Sequence, residues 1–370
     1  MNSVWVAGTY ISKFGELWDT SLHQLCVDAV SGVLENAHIE PKDIDAIYVS
    51  NMLGGVLDGQ LHLGAYASSL FPHHPPAQRI EGACASGGLA MVAAEESLLA
   101  GTHSTVLVLG IEKMTDVSVQ RITQALVGAS DIEREYGGTF PGLYALLAQA
   151  HMKEYHTSRN QLSSVSVKNH LHAYLNPLAH FQKKITIDAV NSSPRVADPL
   201  RMLDCSPVSD GASAVILTTK KKDGVKIAGF GVGMDSLCLA DRTSLTSFAS
   251  TQKAASLAYK KADILPKHIQ IAEVHDCFSI GEIFSIEDLG FFKPGLGGIA
   301  SEEGQTTYGG KIVINPSGGL KAMGHPIGAT GIKQVAYLAS HQKELGYSHA
   351  LTHNVGGTGA TAVVHILENI

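Results

Sequence analysis

Two thiols and one imidazole stand in three separate turns of this chain. Cys84 lies in Glu81-Gly-Ala-Cys84-Ala-Ser-Gly-Gly, and Cys277 lies in Val274-His-Asp-Cys277-Phe. His325 lies in Asn315-Pro-Ser-Gly-Gly-Leu-Lys-Ala-Met-Gly-His325-Pro-Ile-Gly-Ala-Thr-Gly. Between them they offer a nucleophile, an acid/base and a polarising ring. Making or breaking a carbon–carbon bond beside a thioester carbonyl calls for all three.

Small neighbours leave room for an acyl group at Cys84, and the glycine turn there leads into a helical pattern. Peptide dipoles at a helix N-terminus favour a thiolate, so the Cys84 pKa is expected to be lowered. Cys277 ends an apolar strand pattern. A thiol there could take a proton from the carbon alpha to a thioester and return it in reverse. His325 precedes a proline that stiffens the turn, and its expected work is to activate Cys84 and to donate to a thioester oxygen. His275 and the pair His353-Asn354 each end an apolar strand and are candidate oxyanion or water-holding groups. Backbone amides at Cys84 and at Val355 and Gly356 are candidates for a second oxyanion hole. Asn315 is a further candidate substrate or oxyanion contact. Taken alone, a lone cysteine is more often a buried small hydrophobe, and a lone histidine a bonded core or surface group. Metal binding is the competing use of these residues. They come from unrelated glycine turns without ligand-pair spacing, so no metal is expected.

Composition narrows the classes. The five cysteines, at 26, 84, 205, 238 and 277, show no paired spacing and no CxxC, which suits a reducing compartment and argues against structural zinc. A formal net charge of -7 supplies no general field for nucleic acid, and the run Lys220-Lys221-Lys222 reads as a solvated turn. No apolar stretch is long enough to span a bilayer, and the first residues alternate like a strand. With neither a leader pattern nor a C-terminal peroxisomal address, the cytosol is the expected location.

The elements that must position these groups follow from periodicity. Residues 21–37 repeat apolar side chains at helical spacing, and Pro41 opens the way to an apolar strand over 44–49. An offset of 225 residues pairs Ala37 with Ala262, Pro41 with Pro266, Lys42 with Lys267 and Val49 with Val274, which reads as an internal duplication. Each half then carries a glycine-rich turn, a helix (89–100 and 332–340) and a strand (105–109 and 350–353). The expected architecture is layered α/β, with two similar, mixed but mostly parallel sheets around shared helices, against the alternative of one large doubly wound sheet. The boundaries are residues 1–224, with a largely helical insertion at about 115–196 lying over the site, and residues 225–370. Gly229-Phe-Gly-Val-Gly233 lacks the spacing of a dinucleotide fingerprint, so no nicotinamide cofactor is read from it.

The stretch from Asn315 to Gly331 resembles the signature of the thiolase superfamily, with Cys84, Cys277 and His325 at the places of its nucleophile, second cysteine and Gly-His-Pro histidine. The resemblance spans essentially the whole chain. His275-Asp-Cys277-Phe, His353-Asn-Val-Gly, the helix around Ala150 to Tyr155 and the stretch Asp198-Pro-Leu-Arg-Met are similar to the thiolases linked to sterol carrier proteins and their bacterial and archaeal relatives. It implies a five-layer αβαβα fold, a homodimer or homotetramer, and coenzyme A thioesters as substrates, with no permanently bound cofactor. In this subgroup the acid/base role passes to Cys277, and the position of the usual C-terminal cysteine is held by His353-Asn-Val355. The activity implied is acyl-CoA:acetyl-CoA acyl transfer, in lipid or fatty acid metabolism. The alternative is an acyl-transferring subunit that needs a small OB-fold partner to bind coenzyme A, suggested by the lack of an evident Arg/Lys phosphate cluster.

Overall fold

The computed structural model describes residues 3–221, 223–341 and 346–370, so Lys222 of the basic run lies outside the described residues. Among the described residues there are twelve strands: β1 (Val4–Ile11), β2 (Ala46–Ser50), β3 (Ala77–Ile80), β4 (Thr105–Glu112), β5 (Arg195–Ala197), β6 (Leu200–Arg201), β7 (Gly211–Thr218), β8 (Val225–Met234), β9 (Ile271–Glu273), β10 (Val313–Ile314), β11 (His349–Gly356) and β12 (Thr361–Asn369). β5 and β6 form a separate small hairpin. The other ten run in the order β10-β9-β11-β12-β8-β1-β7-β4-β2-β3.

That order is one five-strand plan used twice. Numbered within its own half, each set reads third, second, fourth, fifth, first. The two first strands, β1 and β8, meet edge to edge through two antiparallel residue pairs, Val4 with Ile227 and Trp5 with Lys226. Each set is mixed, as expected, with two parallel and two antiparallel pairings, so the antiparallel share is a half rather than the smaller part. The reason the sequence hides this is burial. β7 is buried at every position and so reads like a strand of a parallel sheet. The connection from β11 to β12 is also too short for the crossover that parallel strands need.

The helices are α1 (Leu22–Ala37), α2 (Gly54–Leu57), α3 (Leu63–Ser68), α4 (Ser86–Leu99), α5 (Val119–Val127), α6 (Phe140–Tyr155), α7 (Arg159–Tyr174), α8 (Ile187–Ser192), α9 (Ala249–Ala262), α10 (Ser279–Asp288), α11 (Gly297–Glu302) and α12 (Ile327–His341). α1 covers the outer face of the first sheet, and α9 that of the second. α4 and α12 lie between the sheets, which makes five layers. The 225-residue repeat extends to backbone detail. α1 and α9 end on left-handed caps at His38 and Asp263, with φ 52° and 53°, and each is followed by a short 3-10 turn opening on Pro41 or Pro266.

Glycines decide two close approaches. A Cβ at Gly231 or Gly233 would sit 2.1 or 2.0 Å from a backbone oxygen of α9, so the glycine stripe in β8 seats a helix. In the middle layer a Cβ at Gly87 would lie 2.8 Å from the Gly331 backbone, so α4 and α12 cross with their main chains nearly touching. Cys84 precedes α4 and His325 precedes α12. The same crossing therefore brings both N-terminal turns to one place.

Candidate active site

The turn before α4 is held by its own short chain. Ala83 adopts φ 52°, its amide donates to Glu81 Oε1 at 2.6 Å, and Ser86 Oγ accepts from the Gly82 amide at 2.9 Å while donating to the Ala83 carbonyl at 2.6 Å. Cys84 is thereby aimed into a cavity of about 380 Å³ that Cys277 and His325 also line. The remaining wall is mainly apolar and includes Met52, Met114, Leu126, Phe140, Val208 and Ile327. Beneath it the buried Glu112 carboxylate accepts from the amides of Met52, Leu53 and Gly328 and from Asn51 Nδ2, fixing the two loops that carry Met52 and Ile327.

Cys84 Sγ and a ring nitrogen each of His275 and His325 lie within 4.8 Å of one another. The two rings meet edge to face, with centroids 5.3 Å apart. Their proton positions follow from their partners. Thr330 Oγ1 donates to the Pro326 carbonyl at 2.9 Å, so it can only accept from His325 Nδ1, 2.8 Å away. His325 Nε2 is then the bare nitrogen, and it has no partner among the described residues. For His275 the orienting group is Asn354. Its Oδ1 accepts from the Gly88 amide at 3.0 Å, and its Nδ2 donates to the Cys84 carbonyl at 2.8 Å and faces His275 Nδ1 at 3.4 Å. His275 Nδ1 is thus the accepting nitrogen, which leaves Nε2 as an N–H with no internal partner. One ring offers a base and the other a donor.

Electrostatics at the thiols run against the sequence expectation. Burial pushes the Cys84 thiol up to about 12, with the Glu112 and Glu81 carboxylates adding to the rise. The Gly357 amide and the Cys84 amide itself bond the sulfur and act in the opposite direction, but they do not win. Desolvation in a closed pocket outweighs a helix N-terminus whose first residue is two positions further on. Cys277 is likewise raised well above the usual thiol value by burial, with Cys84 and Asp276 adding, while Tyr144 and the Phe278 amide lower it. His325 is lowered to about 3 by burial and by the Lys333 charge, so the resting pair is thiol and neutral imidazole.

Cys277 is fixed through its backbone: its carbonyl accepts from the Ser206 amide at 2.9 Å. Asp276 turns away from the cavity and accepts from the Leu320 amide at 2.6 Å, the Lys321 amide at 3.1 Å and Asn169 Nδ2 at 2.6 Å, tying the loop to α7 and to the glycine turn.

Four expected site residues, His353, Asn315, Val355 and Gly356, are placed elsewhere. His353 faces the outer side of the second sheet, where its Nε2 meets Thr251 Oγ1 of α9 at 2.9 Å; strand alternation gives the inner position to its neighbour Asn354. Asn315 has both ends of its amide occupied, Oδ1 by the Val274 amide and Nδ2 by Glu282, each at 2.8 Å, so it braces the strand carrying His275 rather than facing the cavity. The amide that reaches Cys84 belongs to Gly357, one residue beyond the pair Val355 and Gly356. Gly356 instead packs on the Cys84 loop, where an added Cβ would lie 2.6 Å from the Gly82 carbonyl.

Thr330 and Tyr144 are not singled out from the sequence, whereas Asn354 is, beside His353. Thr330 follows His325 closely, at the start of α12, so spacing could have found it. Tyr144, on α6, had no local signal. As for metal, Cys84, His275 and His325 form the one group among the described residues spaced to hold an ion.

Comparison with known proteins agrees with this architecture. Residues 4–221 match the family described as "Thiolase, N-terminal domain", and residues 231–369 match "Thiolase C-terminal domain-like". The acetyl-CoA acetyltransferase of Methanothermobacter thermautotrophicus is 46% identical, over 100% of both chains. Sterol carrier protein 2 of Homo sapiens is 31% identical over 98% of this chain and 71% of its own length. Among solved structures, one titled "Ltp2-ChsH2(DUF35) aldolase" superposes with a TM-score of 0.83 over 100% of this chain and 98% of that one, at 19% identity, a likeness of fold. With family matches over both halves and a full-length relative at this identity, the chain belongs to the thiolase superfamily and is a thiolase-type acyltransferase.

Proposed function

We propose that the chain is an acyl-CoA:acetyl-CoA C-acyltransferase that runs Claisen condensation or its thiolytic reverse through an acyl group on Cys84. The observation that carries this reading is one cavity lined by the free thiols of Cys84, Cys277 and Cys205, with a base nitrogen and a donor nitrogen beside Cys84. His325 Nε2 takes the Cys84 proton as the sulfur attacks the thioester carbonyl, and an ion pair replaces two neutral groups. The amides of Cys84 and Gly357 receive the developing tetrahedral oxyanion. Coenzyme A leaves as a thiol, its proton supplied by Cys277. The Cys277 thiolate then removes a proton from the methyl carbon of a second acetyl-CoA, with imidazolium His325 and the His275 Nε2–H on the enolate oxygen. The carbanion attacks the acyl carbonyl, Cys84 departs as thiolate, and His325 returns its proton. Protons balance, and no cofactor is consumed.

Incubation with acetyl-CoA followed by peptide mass mapping tests the roles. Cys84→Ala is expected to abolish acylation, whereas Cys277→Ala acylates at Cys84 but forms no acetoacetyl-CoA. Acylation at another residue refutes the assignment.

A second reading, a subunit that needs a small OB-fold partner to complete the coenzyme A site, is favoured by the absence of lysine and arginine from the cavity wall. The aldolase whose title pairs Ltp2 with ChsH2(DUF35) adds to it. Tight coenzyme A binding by the isolated chain, measured by calorimetry, would refute this reading.

A further inference from the structure

Tyr144 lies at the first turn of α6, one of the helices between the two halves, and is 1% exposed. Its ring packs on Phe278 with centroids 4.6 Å apart and lies near Phe248 at 6.3 Å. The hydroxyl donates to the Gly357 carbonyl at 3.1 Å and also stands in hydrogen-bond reach of the Cys277 sulfur. One buried hydroxyl thus touches both the second thiol and the residue whose amide bonds the first. Arg242 holds the other side of that turn, bonding the Thr358 carbonyl at 2.5 Å and its hydroxyl at 3.0 Å. The Gly357–Thr358 turn therefore stays in place if the tyrosine bond is given up.

A phenol has one proton to donate and two sites at which to accept. While Cys277 is a thiol, its S–H can point at the Tyr144 oxygen and the phenol proton goes to the Gly357 carbonyl. Once Cys277 has given its proton to the departing coenzyme A sulfur, the thiolate becomes the stronger acceptor. We propose that Tyr144 is a positioning residue for Cys277, its O–H turning from the Gly357 carbonyl to the sulfur each time the thiol ionises and so holding the thiolate until it takes the α-proton. This rests on the acid/base reading of Cys277. The phenol proton never leaves Tyr144; only the proton between Cys277, coenzyme A sulfur and α-carbon is transferred.

The other groups around Cys277 make such a donor necessary. Cys84 and Asp276 both oppose a second negative charge there, while Tyr144 and the Phe278 amide favour it. The phenol itself is raised well above the ordinary tyrosine range by burial and by the thiol, so it keeps its proton throughout the working pH range.

Tyr144→Phe keeps the ring and removes the bond. In deuterated buffer, exchange of the acetyl-CoA methyl protons is expected to fall about tenfold to a hundredfold, the scale of one charge-assisted hydrogen bond. Its rising pH limb moves up by about one to two units, and Cys84 acylation stays at or above the rate of Cys277→Ala. A second measurement avoids turnover. In a Cys84→Ala background, alkylation of Cys277, followed by peptide mapping, shifts to higher pH when Tyr144→Phe is added. Unchanged exchange with an unshifted limb overturns the proposal, as does an equal slowing of acylation and exchange with alkylation unshifted. If Cys277→Ala itself exchanges the methyl protons, it is the acid/base reading of Cys277 that fails.

Discussion

Replacing Thr330 by valine removes one hydroxyl and changes almost nothing in shape, so it isolates the tautomer of His325. In the native chain Thr330 Oγ1 spends its proton on the Pro326 carbonyl at 2.9 Å and accepts from His325 Nδ1 at 2.8 Å. This leaves the bare nitrogen toward Cys84. In Thr330→Val the ring has two choices. Keeping the proton on Nδ1 buries an N–H against a methyl group, at a cost of about 1–3 kcal/mol. Moving it to Nε2 avoids that cost but presents an N–H, not a lone pair, to the thiol. Either way the population able to accept the Cys84 proton falls by about five- to 150-fold, the Boltzmann equivalent of that range. Because the Cys84 thiol is held near 12, little spontaneous thiolate is present to compensate. The assay is single-turnover acylation of Cys84 by acetyl-CoA, quenched and read by intact mass across substrate concentrations. The rate at saturation should drop by that factor, with the half-saturating concentration within about twofold, since Thr330 does not line the cavity. Acylation at the native rate would refute the base assignment and the tautomer argument with it.

Asn354→Ala and His353→Gln, neighbours on one strand, should part company. The first loses the bonds to Gly88, Cys84 and His275 and should cut both acylation and condensation at least tenfold, while the second should leave both within about twofold and lower only stability; steady-state kinetics beside urea unfolding checks the pair, and the opposite ranking would refute the placement. Acid should unfold the protein steeply once the carboxyl groups no longer offset the imidazoles. His172, His325 and His353 are held down to about 3 by burial, so below about 6.5 the unfolded chain binds protons that the folded chain refuses, and stability falls with pH by ~1.4 kcal/mol per ring per unit. Glu112, raised to about 7, works in the opposite sense between about 4 and 7 because the folded chain holds its proton first. Asp276, raised to about 7, and Asp58 and Asp288, raised to about 6, act in the same sense as Glu112, so urea midpoints should decline gently to about pH 4 and sharply below it, and a midpoint unchanged between pH 4 and 3 would refute the account.

Much of this molecule was legible in one dimension. The repeat at 225 residues, the turns before two helices, and the identities of Cys84, Cys277, His275 and His325 are all local. Turns, caps and apolar periods are written in consecutive residues, and a duplicated chain writes them twice. Strand orientation was not legible, because a strand buried on both faces carries the same residues whichever way its neighbour runs. Nor was the side of β11 that meets the cavity: His353 and Asn354 differ by one step of a two-residue period, and only the packing of α9 and α4 on opposite faces chooses between them. The thiol pKa values reversed for a related reason. A helix start is visible in sequence, but the depth at which it is buried depends on segments far along the chain. Tyr144, 133 residues from Cys277 and 213 from Gly357, is the extreme case of that dependence. The residue types determined which chemistry was available, and the crossing of α4 and α12 at Gly87 and Gly331 decided where it happens, because only there do two helix starts from separate halves come within reach of one small molecule.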